Sequence, residues 1–179
     1  MNPEDISRYK ASETLTNQQL LTIRAVRPND KGLILETLVD VSPSSIYRRL
    51  FHYKNEITPE DWKMMTEVDF MDVVQLVATI EKEGREHIVG GGRYMRTGVS
   101  QEGQKAEVAM LVDDRHQGWG IGSRIFKHLV AIARASGITQ FEAEILPSNR
   151  AMMKVFERSD LPVAKTVEED YLYVSINLG

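Results

Sequence analysis

Hydrophobic residues recur along the chain with two different spacings, and these spacings predict which segments are strands and which are helices. Apolar residues at every second position, or short apolar runs between turn residues, are typical of strands. Spacings of three and four residues are typical of helices with one buried face. The predicted strands are residues 21–26, 73–80, 87–95, 107–112, 141–146 and 171–178. The predicted helices are residues 31–40, 44–52, 58–67, 121–136 and 151–158.

The order of these elements predicts an α/β fold of the α+β type, with a mixed, mostly antiparallel sheet of about six to seven strands flanked by helices. A charged turn at residues 81–86 and a polar turn at residues 97–105 separate three consecutive strands, which indicates an antiparallel meander. A long helix lies between strands 107–112 and 141–146, so these two strands can run parallel in a right-handed crossover.

The helix that begins at Ile121 has the clearest pattern. Ile121, Ile125, Leu129 and Ala133 recur at four-residue steps, which predicts one apolar stripe packed against the sheet. Gly137 then provides the residue type that commonly follows the end of a helix.

Three consecutive glycines, Gly90 to Gly92, interrupt the strand at residues 87–95. Glycines without side chains could let a substrate backbone approach the strand closely. A bulge or a bend in the strand is the interpretation that we favour.

Composition bounds the class of protein. A chain of 179 residues with a net charge of -4 is large enough for one core and has no general attraction to nucleic acid or to acidic membranes. The chain contains no cysteine, which removes cysteine zinc sites and cysteine nucleophiles and fits a reducing, cytoplasmic location. We interpret residues 1–20, which lack the apolar core of a signal peptide, as an N-terminal extension, and residues 21–179 as a single domain. We expect no bound metal.

A glycine-rich segment between strand 107–112 and the helix at Ile121 predicts a phosphate site. Alternating glycines leave backbone N–H groups free to turn inward, and a helix N-terminus adds unpaired amides. The segment has neither the lysine of a nucleoside-triphosphatase loop nor the third glycine of a dinucleotide fingerprint. No acidic residue occurs from Arg115 through Phe141, and we expect Arg115 and Arg124 to be the better phosphate candidates and His116 and His128 to be surface residues.

The segment matches the pattern Gln-x-x-Gly-x-Gly, with Gln117, Gly120 and Gly122, and Asn149 follows later in the chain. This combination resembles the acetyl-CoA-binding motif of the GCN5-related N-acetyltransferase family. Residues 41–51 and the Ala-Glu at 106–107 are more particular, because they resemble the acetyltransferase domain of bacterial protein lysine acetyltransferases.

The resemblance implies a cofactor-binding site for acetyl-CoA. Leu111 and Val112 would offer backbone groups to the pantetheine arm, and Asn149 would contact the cofactor near its pantetheine or thioester, although an asparagine at this position is also a typical helix N-cap. The residues expected to hold the pyrophosphate are Gln117, Gly118, Trp119, Gly120, Ile121, Gly122 and Ser123.

Transfer to an amine requires a base, because an alkylammonium group has a reference pKa of about 10.4. Glu107 is the expected general base, since the resemblance places the base in this Ala-Glu context; Glu142 and Glu144 are possible substitutes. The family's tyrosine acid is absent, because Phe156 stands seven residues after Asn149. Tyrosines that could replace it are Tyr94, Tyr171 and Tyr173.

The predicted function is that of an acyltransferase that moves an acetyl group directly from acetyl-CoA to a primary amine, with a protein lysine side chain as the expected acceptor. Candidate acceptor-binding residues are Tyr47, Arg48, Arg49 and Phe51, although the four-residue spacing of Tyr47 and Phe51 favours an apolar stripe in the core for these two. The alternatives are a small-molecule amine acetyltransferase and a non-catalytic acyl-CoA-sensing module. We expect a monomer or a homodimer.

Overall fold

A computed structural model describes residues 1–39, 59–100 and 103–179 of the protein. In these ranges eight strands form one sheet. The strands are β1 (Lys10–Thr14), β2 (Leu20–Ala25), β3 (Val73–Lys82), β4 (Arg85–Ser100), β5 (Gly103–Val112), β6 (Ile138–Ile145), β7 (Val163–Val167) and β8 (Leu172–Asn177). Their order across the sheet is β1-β2-β3-β4-β5-β6-β8-β7.

Five helices accompany the sheet in the described part of the chain. They are α1 (Pro3–Ser7), α2 (Lys31–Val39), α3 (Pro59–Thr66), α4 (Ile121–Ala135) and α5 (Arg150–Glu157). Short 3-10 turns at Pro28–Asp30 and Asp114–His116 precede α2 and the loop before α4. The helix predicted at residues 44–52 lies outside the described residues. None of the helices in the described ranges is long and apolar enough to span a membrane.

The predicted fold class is confirmed, because the sheet is mixed and mostly antiparallel. β3, β4 and β5 form the expected meander, and β5 and β6 form the expected parallel pair. The β3–β4 hairpin turns at Glu83 and Gly84, whose φ angles are 54° and 74°. Positive φ at both central residues is the geometry of a two-residue turn that matches the twist of paired strands.

The main core lies between α4 and the sheet. The four stripe residues of α4, from Ile121 to Ala133, are at most 1% exposed, as the four-residue spacing predicts. The glycines of β4 allow this close packing, since a Cβ added at Gly92 would lie 2.7 Å from Ile125 Cγ2. A register shift beside Gly90 confirms the bulge that was expected there, because Gly90 pairs with Ala78 while Ile88 pairs with Thr79.

The sheet has more strands than the six or seven expected, because the spacing of apolar residues does not identify two of its strands, β1 and β7. β1 and β7 are mostly exposed, so their side chains do not alternate between apolar and polar. β1 adds residues from the predicted extension to the sheet, and Ile6 and Leu15 beside it are 1% exposed; the domain boundary at residue 20 stays a prediction. The polar turn was predicted to span residues 97–105, and this length is wrong, because β4 continues to Ser100 and β5 begins at Gly103.

Candidate active site

β5 and β6 separate halfway along their length. Their parallel pairing begins at Gln104 and Ile138 and ends at Glu107 and Glu142. Beyond this point β5 stays paired with β4 as far as Val112, whereas β6 stays paired with β8. The two strands therefore diverge and leave a cleft between them, and Glu107 lies where the cleft begins.

The backbone groups that face this cleft belong to alternate residues of β5. The N–H of Asp113 donates to the carbonyl of Val89 at 2.9 Å, so the backbone of Asp113 faces β4. Because these groups alternate in direction along a strand, Leu111 also directs its N–H and C=O towards β4, while those of Met110 and Val112 face the cleft. The strand geometry thus presents the backbone groups of Met110 and Val112 to the cleft and those of Leu111 to β4, and the pantetheine contacts themselves stay a prediction.

The glycine loop ends in an exposed helix N-terminus. Gly118 and Gly120 have φ angles of 82° and 78°, a left-handed conformation that favours glycine. The N–H of Arg124 donates to the carbonyl of Gly120 at 3.3 Å, which begins the hydrogen bonding of α4. The amides that precede Arg124 in the first turn have no partner within the helix and lie at its positive end, where an anion is stabilised.

A cavity of about 570 Å³ joins the end of β5, the loop and one side of α5 along its length. β5 contributes Leu111 and Val112, and α5 contributes its N-cap residue Asn149. The loop contributes Gln117, Gly118, Gly120, Ile121, Gly122 and Ser123. Trp119 is the one predicted pyrophosphate residue that does not line this cavity; its ring packs edge-on to His116 at 4.9 Å.

Two polar side chains of the cavity also stabilise the local backbone. Gln117 Nε2 donates to Asp114 Oδ1 at 2.6 Å, which ties the loop to the preceding turn. Asn149 Oδ1 accepts from the N–H of Met152 at 3.2 Å, so Asn149 caps α5. A contact between Asn149 and the cofactor stays a prediction.

A buried aspartate, Asp113, anchors the turn before the loop, and the sequence reasoning missed it. Asp113 is 1% exposed and accepts hydrogen bonds from the N–H of Arg115 at 3.1 Å and from His116 Nδ1 at 2.8 Å. Burial alone acts to raise the pKa of Asp113, but the hydrogen bonds from Arg115 and His116 outweigh it and hold this pKa below its usual range. The prediction of a surface histidine is wrong for His116, whose side chain is 17% exposed.

One of the two expected phosphate cations, Arg124, is paired with β1, as are two neighbouring side chains of α4. Arg124 Nη2 donates to the carbonyl of Thr14 at 3.1 Å, and Arg124 Nε lies 3.4 Å from Glu13 Oε2. Lys127 Nζ lies 2.9 Å from Glu13 Oε1, and this hydrogen bond lowers the pKa of Glu13. His128 is 9% exposed and contacts the same carboxylate at 3.1 Å, so it is a buried residue and not a surface one.

The three candidate carboxylates differ in their partners. Glu107 is exposed and lies at the start of the cleft. Glu142 pairs with Lys105 at 2.7 Å; partial burial acts to raise the pKa of Glu142, but the hydrogen bonds from Lys105 and Tyr173 outweigh it and lower this pKa. Glu144 is exposed and pairs in register with Tyr173 of β8.

Two of the three tyrosines considered as replacement acids, Tyr94 and Tyr173, are poorly suited to the role. Tyr94 is 0% exposed and packs against Phe141 in the core, where burial raises its pKa. Burial and the neighbouring carboxylates raise the pKa of Tyr173 to about 12. Phe156 is also 0% exposed, with its ring 5.1 Å from that of Phe126. The acceptor candidates Tyr47, Arg48, Arg49 and Phe51 lie outside the described residues.

Comparison of the sequence with known families gives the class of protein to which the chain belongs. The sequence model of the acetyltransferase (GNAT) family matches residues 44–160 of the chain. The chain belongs to this family of acyltransferases.

The chain is similar in sequence or in fold to three particular proteins. It is 33% identical to "Acetyltransferase Pat" of Mycolicibacterium smegmatis over 136 residues, which are 76% of this chain and 39% of that protein. The chain therefore matches about two fifths of the length of this relative. The GNAT domain of S. lividans PAT superposes with a TM-score of 0.82 and 30% identity, over 94% of this chain and 96% of that one. The fold is also that of yncA from Salmonella typhimurium, solved with its cofactor acetyl-CoA, with a TM-score of 0.64 and 18% identity over 88% and 91% of the two chains.

Proposed function

We propose that the protein is an acetyl-CoA-dependent N-acetyltransferase that transfers the acetyl group directly to a primary amine, with Glu107 as the general base. The observation that carries the proposal is the separation of β5 and β6 immediately after Glu107. It gives an extended molecule a path from the anion site at α4 to a carboxylate. Family membership and the acetyl-CoA bound to yncA support the choice of acyl donor.

In the proposed complex, the pyrophosphate lies at the amides of the glycine loop and the pantetheine arm lies in the cleft. Backbone groups of Met110 and Val112 face the cleft and would pair with the amides of the arm, as in an added strand. The thioester would then lie towards the start of the cleft, near Glu107. The N–H of Met110 is the proposed donor that polarises the thioester carbonyl.

The chemistry follows from two requirements. The amine must lose a proton before it attacks, and Glu107 takes that proton through a water molecule. A C–N bond then forms at the thioester carbon, and the C–S bond breaks to release CoA as a thiolate. The chain contains no cysteine, so an acyl-cysteine intermediate on this chain is excluded. We propose that transfer occurs directly, in a complex that holds both substrates.

The proposed acceptor is a protein lysine side chain. Its support is the resemblance of residues 41–51 and of Ala106 and Glu107 to the bacterial protein lysine acetyltransferases. Lysine is a primary alkylamine, so it presents the nucleophile that the proposed base would deprotonate. A cytoplasmic location and a monomeric or homodimeric state accompany this proposal.

The deciding experiment measures CoA release with lysine peptides and with a panel of small amines, for the wild type and for Glu107→Gln. The substitution keeps the shape of the side chain and removes the base. We expect kcat to fall at least about 100-fold with little change in acetyl-CoA affinity, because general bases contribute roughly 10²–10⁴-fold. Glu81→Gln, an exposed residue at the β3–β4 hairpin, is the matched control, and Glu144→Gln tests the substitute base.

The outcomes separate the competing functions. Full activity of Glu107→Gln would exclude Glu107 as the base. Turnover with small amines but with no peptide would favour a small-molecule acetyltransferase. Tight CoA binding without turnover on any acceptor would favour a sensing module.

A further inference from the structure

His116 is held in one orientation at the wall of the proposed cofactor cavity. Its Nδ1 lies 2.8 Å from Oδ2 of Asp113, a carboxylate that is 1% exposed. Its ring also packs edge-on against Trp119, with the ring centroids 4.9 Å apart. His116 is one of the residues that line the same cavity as the glycine loop. A ring fixed on two sides presents its remaining atoms to a ligand in a defined direction.

The partner of Nδ1 determines what the other nitrogen offers. An ionised carboxylate accepts hydrogen bonds and cannot donate them, so Nδ1 carries a hydrogen and donates it to Asp113. In the neutral imidazole Nε2 is then an acceptor, whereas in the imidazolium it becomes a second donor. No hydrogen bond of Nε2 occurs within the described residues. Nε2 is therefore the position at which His116 can change from acceptor to donor.

We propose that His116 is a binding residue for the pyrophosphate of acetyl-CoA, and that its imidazolium donates Nε2–H to a phosphate oxygen. The inference rests on the proposed function, because it assumes that the cavity holds this pyrophosphate. It extends the anion site from backbone amides to a titratable side chain that the Gln-x-x-Gly-x-Gly pattern does not include.

The charges around His116 act in both directions. Asp113 favours the imidazolium, although Arg115 shares that carboxylate, with Nη2 3.2 Å from Oδ2. The neighbouring Asp114 is engaged by Gln117 Nε2 at 2.6 Å. Across the cavity lie three cations that oppose an added positive charge: Arg150 and Lys154 of α5, and Arg158, which follows this helix. A bound pyrophosphate supplies two negative charges and shifts the protonation equilibrium of the His116 ring towards the imidazolium.

The sign of the pH dependence follows from this coupling. Because the ligand favours the charged ring, binding is tightest at a pH at which the ring is already charged. Affinity is lost as the pH rises and the ring becomes neutral. A hydrogen bond between charged groups contributes enough for an affinity change of about five- to tenfold between pH 5.5 and pH 7.5.

Dephospho-CoA is the appropriate probe, because its pyrophosphate diester has no ionisation in this pH range, unlike the 3′-phosphate of CoA. Dissociation constants would be measured by calorimetry at several pH values for the wild type, His116→Asn and the control His87→Asn. An asparagine at position 116 can still donate to Asp113 through its side-chain amide but has no group that corresponds to Nε2. His87 lies in β4 and does not line the cavity.

The expected result is a loss of affinity of about five- to tenfold between pH 5.5 and pH 7.5 for the wild type and for His87→Asn, and a flat profile for His116→Asn. A second variant, His116→Lys, keeps a positive charge at every pH used and should bind without a pH slope. A flat wild-type profile, or an unchanged slope in His116→Asn, would overturn the inference alone. Failure of the wild type to bind both dephospho-CoA and acetyl-CoA would instead refute the proposed cofactor and this inference together.

Discussion

The phosphate role of the glycine loop can be tested by placing a single negative charge in it. Gly118 has a φ of 82°, and a Cβ added there would meet no atom within 4 Å, so a side chain is accommodated if it tolerates the left-handed conformation. Aspartate and asparagine both tolerate this conformation better than most residues and have nearly the same shape. The difference between Gly118→Asp and Gly118→Asn therefore isolates the charge.

The size of the effect follows from Coulomb's law. A carboxylate at about 5 Å from a pyrophosphate repels each of its two charges by about 0.8 kcal/mol in water, and by more where the loop excludes solvent. A total of about 1.7 kcal/mol corresponds to an affinity for CoA that is roughly 15-fold lower for the aspartate variant than for the asparagine variant. Salt should reduce this ratio, because the Debye length is about 8 Å at physiological ionic strength.

The assay is calorimetric titration with CoA at low and at high salt. Gly84→Asp is the matched control, because Gly84 has a φ of 74° with open space around it but lies in the β3–β4 turn. This control should bind CoA like the wild type, and thermal unfolding should show similar losses of stability in all three variants. Equal CoA affinities for Gly118→Asp and Gly118→Asn at low salt would refute the assignment of the loop to the pyrophosphate.

Three further substitutions test the packing and the charges of the fold by urea unfolding. Gly92→Ala should destabilise the protein by about 1–3 kcal/mol, since the added methyl would lie 2.7 Å from Ile125 Cγ2. The control is Gly32→Ala on α2, where a Cβ meets open space, and it should be neutral or stabilise the protein by up to about 1 kcal/mol. Similar effects of the two would contradict the packing role of Gly92. Arg24→Met should cost about 3–5 kcal/mol, because Arg24 is 2% exposed and holds two carboxylates, and a loss below about 1 kcal/mol would argue against this. The pKa of Asp113 is lowered in the folded state, so this carboxylate contributes stability above about pH 4 that is lost as the pH falls through the folded-state pKa. Asp113→Asn should therefore make the free energy of unfolding less dependent on pH on the acid side. An unchanged dependence on pH in this variant would contradict the contribution of Asp113.

The elements that could be predicted are those whose signal lies within a few neighbouring residues. The stripe on α4 is a local pattern, and burial of Ile125 and Leu129 follows from it directly. The glycine loop is equally local, because positive φ at Gly118 and Gly120 depends on residue type. β1 and β7 gave no such signal, since an exposed edge strand is held by backbone pairing and does not require apolar side chains.

The parts of the site that could not be predicted depend on contacts between distant segments. Nothing near Arg124 in the sequence indicates that Glu13 and Thr14 of β1 will engage its guanidinium. The direction of the β5 backbone is also invisible in the sequence, because a shift of one residue exchanges the groups that face β4 and the cleft. The register therefore decides between Leu111 and Met110 as a partner for the proposed pantetheine arm.

The proposed reaction has two proton transfers, one from the amine to a base and one from an acid to the departing thiolate, and they differ in how much help they require. An alkylammonium group with a pKa of about 10.4 is deprotonated in only about one molecule in 2,500 at pH 7, so its deprotonation costs about 4.6 kcal/mol of free energy at this pH. The thiolate of CoA is a far better leaving group, since thiols have pKa values of about 8.5. A phenol such as Tyr173, whose pKa is about 12 and whose hydroxyl is engaged by Glu142, would assist that departure little. In the proposed reaction the barrier therefore depends mainly on removing a proton from the amine, so the absence of a tyrosine at Phe156 weakens the proposal less than full activity of Glu107→Gln would.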